Sequence, residues 1–253
     1  MRGAVLALLA FLACPAGAEE KIVAGLSQNR VSITANFDGS EILIYGAVKR
    51  EEPAPGGAPL EVIVTVSGPD GPLTIRRKEK VAGIWLNRSS VNIDAAPSFY
   101  AVTTTGPLDQ ILSGTEDLRH RITIPYAIRA VGITSEASDA PEFVEALQRI
   151  RLESESYRLD EGAVQLAEET LFRADVVLPA NLTEGDFRVR IFLTRGGKVI
   201  DVQERVIGVR MAGLERFLFN LAHEQSLIYG LVSLLLAVGA GWGASAAFRL
   251  VRL

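Results

Sequence analysis

"GDFRVRIFLTRGGKVIDVQERVIGVR" (residues 185–210) decides the fold. Val189, Ile191 and Leu193 alternate with Arg188, Arg190 and Phe192, the period of two that sets side chains on opposite faces of a strand. Gly196-Gly197 separates this run from a second one, and a Gly-Gly pair between two alternating runs reads as a tight hairpin. The arginines read as a solvated outer face. Just upstream, "LFRADVVLPA" (residues 171–180) is a third strand, which Pro179 ends, and Gly185 turns the chain into the next. These strands form a β module over residues 156–210.

The same pattern fills the N-terminal half. "RVSITANF" and "SEILIYGAV", joined by Asp38-Gly39, predict a hairpin. "LEVIVTV" places Val62, Val64 and Val66 on one face, and "GPDGP" turns the chain into "LTIRRKEKV". "GIWLN", "SVNI" and "SFYAVTTT" read as three further strands, and residues 51–59 as an exposed loop. Turn signals every eight to twelve residues favour an antiparallel β-sandwich of immunoglobulin-like type. The first β module spans residues 19–105. Residues 106–155 form a helical or irregular connecting segment. In it "APEFVEALQRIRLES" is a helix opened by Pro141, with Phe143, Leu147 and Ile150 on one face. Two modules are expected, and one continuous sandwich interrupted by the helix is the alternative.

The ends place the chain at a membrane. Arg2, a short apolar run and Ala16-Gly17-Ala18 form the pattern of a signal peptide, residues 1–18, cut after Ala18. "FLAC" offers an alternative in which Cys14 carries a lipid. Otherwise the mature chain has no cysteine. Residues 227–248, "LIYGLVSLLLAVGAGWGASAAF", carry no charge and are long enough to cross a hydrocarbon core of about 30 Å. Tyr229 and Trp242 lie towards its two ends. Arg249 and Arg252 follow, so the tail, residues 249–253, is expected in the cytoplasm and the N-terminal ectodomain in the periplasm, anchored in the inner membrane. Residues 211–226 read as an amphipathic juxtamembrane helix, with Met211, Leu214, Phe217, Leu218 and Leu221 on its apolar stripe. Gly239 and Gly243, like Ala240 and Ala244, are four residues apart, a spacing that lets membrane helices pack closely on a partner or a second copy.

Composition restricts the chemistry. His120 and His223 are the only histidines, and neither has metal-ligand spacing, so no metal and no cofactor is expected. No catalytic residue is assigned. Glu153, Glu155, Asp160 and Glu161 read as a solvated charge run rather than a hydrolase pair. Removing Arg2 leaves 25 of the 26 Lys and Arg against 30 Asp and Glu, about −5, which is not the footprint of a nucleic-acid binder. Asn87-Arg88-Ser89 and Asn181-Leu182-Thr183 are glycosylation sequons only in a host that glycosylates exported chains. The candidate recognition patch is Trp85, Asn87, Arg88 and Tyr100. Phe99 or Tyr100, with one face of Trp85, is expected in the core, and the remaining ring at the surface.

"GIWLN" with "APSFYAV", "LFRADVVLPA" followed by a Gly and an aromatic, and "LIYGL" leading into "GWGASAAFR" together resemble a family of alphaproteobacterial transmembrane proteins. The resemblance covers nearly the whole mature chain. It implies a bacterial inner-membrane protein of unassigned activity, encoded near sulfite-exporter-type permeases. The expectation is a membrane-anchored periplasmic binding or interaction protein, accessory to such a permease or another envelope complex. A carboxylate-dependent enzyme of the cell envelope and a structural assembly factor are the alternatives. The signal pattern predicts a mature N-terminus at Glu19, to be read from the intact mass of the purified protein. A mass retaining residues 1–18, or one carrying a lipid on Cys14, contradicts it.

Overall fold

The computed structural model describes residues 20–34, 37–50, 57–130 and 140–251. The expected signal peptide, Cys14 and Arg252 lie outside the described residues, as does most of the expected exposed loop. The described chain is mainly strands, arranged in two large sheets and one ribbon. Strands β1 (Lys21–Leu26), β3 (Ser40–Lys49), β10 (Leu171–Leu178) and β9 (Gln165–Ala167) pair in the order β1-β3-β10-β9. The larger sheet runs β2-β12-β11-β4-β7-β8, from β2 (Arg30–Ile33), β12 (Lys198–Met211), β11 (Gly185–Arg195), β4 (Leu60–Ser67), β7 (Tyr100–Thr104) and β8 (Tyr157–Asp160).

The first core fills the space between these sheets. Ile42 and Ile44 of β3 and Phe172, Ala174, Val176 and Leu178 of β10 face Val62, Val64 and Val66 of β4 and Val189, Ile191 and Leu193 of β11. Each set is spaced by two, as a strand with one face on this core requires. The free edge of β1 is closed from the other sheet. Ile22 N–H donates to Asp201 Oδ2 at 2.7 Å and Ala24 N–H to Gln203 Oε1 at 2.8 Å. Glu20, buried at this corner, accepts from Arg50 Nε at 2.5 Å and from Arg195 Nη2 at 3.1 Å.

The second core lies on the other face of the larger sheet. Ile63, Tyr100, Val102 and Phe192 point outward into it. The chain between β7 and β8 covers them, through α1 (Leu108–Ile111), α2 (Gly114–His120), α3 (Ile124–Ala127) and α4 (Ala140–Glu153). β7 and β8 run parallel, and a parallel pair needs a long crossover. The helical segment is that crossover, and its apolar faces complete the core.

Several expectations change. The two strand-rich regions are not separate modules. β11 lies between β12 and β4, and Ile191 is paired with Val64, so the continuous sandwich interrupted by helices is the arrangement found. Asp38-Gly39 does not close a hairpin. β2 pairs in parallel with β12, while β3 pairs with β1 and β10, so the chain crosses between sheets there. Gly39 sits at φ 117, and a Cβ on it would lie 2.8 Å from the Leu178 carbonyl oxygen, which is why glycine is needed without a tight turn. Gly196 and Gly197, at φ 56 and 77, do form the hairpin turn between β11 and β12. Phe192, grouped in the sequence with the solvated arginines, is fully buried. Ile150, by contrast, stays exposed beside Ile75 and Arg149.

α5 (Leu214–Glu224) and α6 (Ser226–Val251) follow β12. Met211 ends a strand rather than opening the juxtamembrane helix, and Gln225 separates the two helices. Residues Ser226–Ala247 form one helix long and apolar enough to cross a membrane, and none of it is buried against the rest of the chain. Phe192→Ala removes a ring from the second core and is expected to cost about 3–5 kcal/mol. Val206→Ala on the exposed face should stay within about 0.5 kcal/mol. Chemical denaturation of both variants checks the pair.

Candidate functional site

The candidate surface is an arm whose base belongs to the second core and whose end does not. β5 (Asp70–Val81) and β6 (Ile84–Pro97) pair only with each other, from Asp70↔Pro97 to Val81↔Ile84. The sequence suggested that β5 returns along β4 and that "GIWLN" and "SVNI" are separate strands. Instead the chain leaves the sheet at Gly68-Pro69, and the two runs form one strand of 14 residues. The base of the arm is fixed. Val91, Ile93 and Ala96 are buried in the second core, and Ala95 pairs with Arg129. At mid-arm the Arg77 guanidinium lies 4.5 Å from the centre of the Phe143 ring and 2.8 Å from Glu142 on α4.

Past a register shift between Arg77 and Lys78 the ribbon leaves the body. Four residues on each strand, at about 3.3 Å each, carry it roughly 13 Å further to the turn. Its turn is Ala82-Gly83, both at positive φ. Ile84, Trp85 and Leu86 are 65%, 64% and 49% exposed. Residues directly opposite in an antiparallel pair share a face. Trp85 therefore sits with Lys80, and Asn87 with Lys78, on one face; Ile84 with Val81, and Leu86 with Glu79, occupy the other. Arg88 belongs to the second face, where its guanidinium is 3.9 Å from Glu79.

The predicted patch thus divides. Trp85, Asn87 and Arg88 are together at the exposed end of the arm. Tyr100 is 1% exposed and belongs to the second core. Its hydroxyl donates to the Ile122 carbonyl at 2.8 Å and accepts from Arg190 Nη2 at 3.3 Å. All three rings are now placed: Phe99 and Tyr100 are dry and Trp85 is wet, without the shared core face expected of it. Nothing local in the sequence marks Tyr100 as buried, because its partners come from α2 and β11.

Arg190 is also no surface charge. It donates to the carbonyls of His120 at 2.7 Å and Arg121 at 3.0 Å, closing the C-terminus of α2. His120 lies edge-on to Phe192 and 3.4 Å from Glu116. His223 stacks on Phe219 in α5. Of the acidic run, Glu161 accepts from Leu108 N–H at 2.7 Å and Asp160 is 3.5 Å from Arg158, while Glu153 and Glu155 are exposed. No group of His, Cys, Asp and Glu suited to a metal occurs among the described residues. A side chain added at Gly239 or Gly243 would meet nothing, so this stripe of α6 is open.

Comparison with known proteins now gives the decisive match. The model of the family described as "Putative transmembrane protein (Alph_Pro_TM)" matches residues 21–250. The chain belongs to this family. A search among curated proteins gives no match. Among solved structures, the family member is similar to the crystal structure of Spo0M, sporulation control protein, from Bacillus subtilis. The identity is 12%, the coverage 77% of this chain and 50% of that one, and the TM-score 0.26. The family match accords with the apolar helix α6, the one candidate span among the described residues, and makes the protein a transmembrane protein with a mainly β body.

Burial at the arm's base has a pH signature. Tyr157, whose hydroxyl donates to the Pro97 carbonyl at 2.9 Å, is pushed up to about 12 by burial, against the nearby Arg151 charge. Burial also raises Tyr100, opposed by Arg190. A neutral phenol favoured in the fold adds stability that is complete below the unfolded value of about 10 and is lost as pH rises from there through 12. Stability should therefore fall by roughly 2–3 kcal/mol across that window for Tyr157, with Tyr100 acting in the same direction. Denaturation midpoints at stepped pH check it, and Tyr157→Phe should flatten the fall.

Proposed function

We propose that the protein is a non-catalytic, membrane-anchored interaction module of the bacterial envelope, with the end of the β5–β6 arm as its working surface. One observation carries this reading: Ile84, Trp85 and Leu86 stand exposed, among the described residues, at the end of a ribbon that pairs only within itself beyond Arg77. A two-stranded ribbon is marginal in water by itself, and exposed apolar clusters on a rigid projection are a hallmark of recognition surfaces. Trp and Arg are also the side chains that most often anchor protein interfaces. Lys78, Lys80 and Arg88 form a cationic collar, which suits an apolar pocket with an acidic rim.

Signal peptide and charge pattern support an arm on the periplasmic side of the inner membrane. The anchor then confines the search to partners in the same membrane, where tethering raises the effective concentration. The resemblance to proteins encoded near sulfite-exporter-type permeases favours a transporter as that partner. Open small residues at Gly239, Ala240, Gly243 and Ala244 supply a second contact of the right kind within the bilayer.

Site-specific photocrosslinking in native membranes tests the reading. A photoreactive residue at Ile84 or Leu86 should give one discrete protein adduct, and Trp85→Asp in the same chain should remove it. Trp85→Ala should leave the denaturation midpoint unchanged, since the ring is not part of either core. Equal adducts from a control site at Val206, or adducts with lipid alone, would overturn the proposal.

A further inference from the structure

The fold gathers a set of cations that the sequence keeps apart. Arg119, His120 and Arg121 end α2, and Arg188 and Arg190 lie on the outer face of β11. All five line one cleft of about 160 Å³, with Ser67, Asp70, Tyr100 and Ala127. The lining thus holds four arginines and a single carboxylate residue, Asp70.

Three details distinguish this cleft from a chance cluster. Arg190 is partly buried and is held by neutral oxygens, two backbone carbonyls and the Tyr100 hydroxyl. No carboxylate among the described residues pairs with it, so its charge is uncompensated where solvent screening is reduced. Arg121, at φ 52, has its carbonyl fixed by Arg190, while its own guanidinium has no ion pair or hydrogen bond among the described residues. Arg188 pairs with Glu204 at 3.5 Å, with both side chains more than half exposed, whereas Arg119 lies 2.7 Å from Glu116, a buried carboxylate. Exposed pairs contribute little, at most about 1 kcal/mol, so the Arg188 side chain can turn to a ligand at small cost.

We infer that this cleft binds a tetrahedral oxyanion of the phosphate or sulfate class through Arg121 and Arg188, with Arg190 supplying a fixed positive wall. Guanidinium forks match the oxygen edges of such anions, and charge-assisted bonds are the stronger kind. The anion is either free in solution or the phosphate of a lipid headgroup. The inference does not rest on the exposed end of the arm, which uses different residues; only Asp70, at the root of β5, borders the cleft.

The test uses the full-length protein in nanodiscs at low ionic strength. In zwitterionic discs, inorganic phosphate and sulfate are titrated by calorimetry. Saturable binding is expected, weakened about tenfold or more by the Arg121→Gln/Arg188→Gln double variant. Arg77→Gln on the arm should have no effect. Asp70→Asn should tighten binding, because it removes the repelling charge in the lining, and a merely structural role for the cleft would not produce that gain. Discs containing phosphatidic acid distinguish the source: loss of inorganic phosphate binding there assigns the site to a headgroup, and unchanged binding assigns it to a free anion. No saturable binding in zwitterionic discs, together with no Arg121/Arg188-dependent retention on phosphatidic acid vesicles, overturns the inference. So does binding that the double variant retains in full.

Discussion

Burying both faces of one sheet is the constraint on which the rest of this structure depends. β4 and β11 present Val62, Val64, Val66, Val189, Ile191 and Leu193 to one side, and Ile63 and Phe192 to the other. A sheet with two apolar faces must be covered twice. The four-stranded sheet covers the first face. The second is covered by the β7–β8 crossover and the base of the arm. The helical segment is therefore a wall of the fold, and the arm has a fixed root because its base completes that wall.

Polar contacts register these layers against one another. Arg190 ties β11 to the end of α2, and Tyr100 ties β7 to the same turn. Glu20, between Arg50 and Arg195, locks the corner where the first described residue meets both sheets. A buried carboxylate with two guanidinium partners is costly to break by removing one member, because the charge left behind stays desolvated. The apolar surfaces supply the driving force, and these contacts select one alignment from among many similar ones.

What could be read from the sequence follows from how local each cause is. The β11–β12 hairpin was legible because both alternating runs and both glycines lie within one stretch. The membrane helix was legible because length and absence of charge suffice. The pairing of β4 with β11 was not, since a strand carries no label for a partner far along the chain. Phe192 was the available sign: a large apolar ring on the face otherwise holding Arg188 and Arg190 means that something covers that face. "VIV" at residues 62–64 carries the same message, because a half-solvated strand would place a polar residue at Ile63. Asp38-Gly39 misled for a related reason. Glycine there relieves a close approach to Leu178, a contact that exists only once the sheets have met. For the candidate surface, the expectation that one of the three rings stays at the surface matches Trp85, while the burial of Tyr100 rested on partners from other elements.

The order of strands in the larger sheet also sets a timetable. A chain is synthesised from its N-terminus, so β2, β4 and β7 exist well before β11 and β12. β4 can pair early with β7, yet its other edge stays open until β11 arrives, with Val62, Val64 and Val66 uncovered meanwhile. β2 waits longest, because its partner is the last strand, and Met211 at the end of β12 is only a few residues from the juxtamembrane helix. Closure of the sheet and arrival of the membrane anchor are thus nearly simultaneous events in the life of the chain. Until then the young protein holds unsatisfied strand edges, the state most prone to aggregation. A chain cut short anywhere before β12 would lose its sheet closure along with its anchor, leaving a product suited to degradation rather than to release as a stray soluble domain.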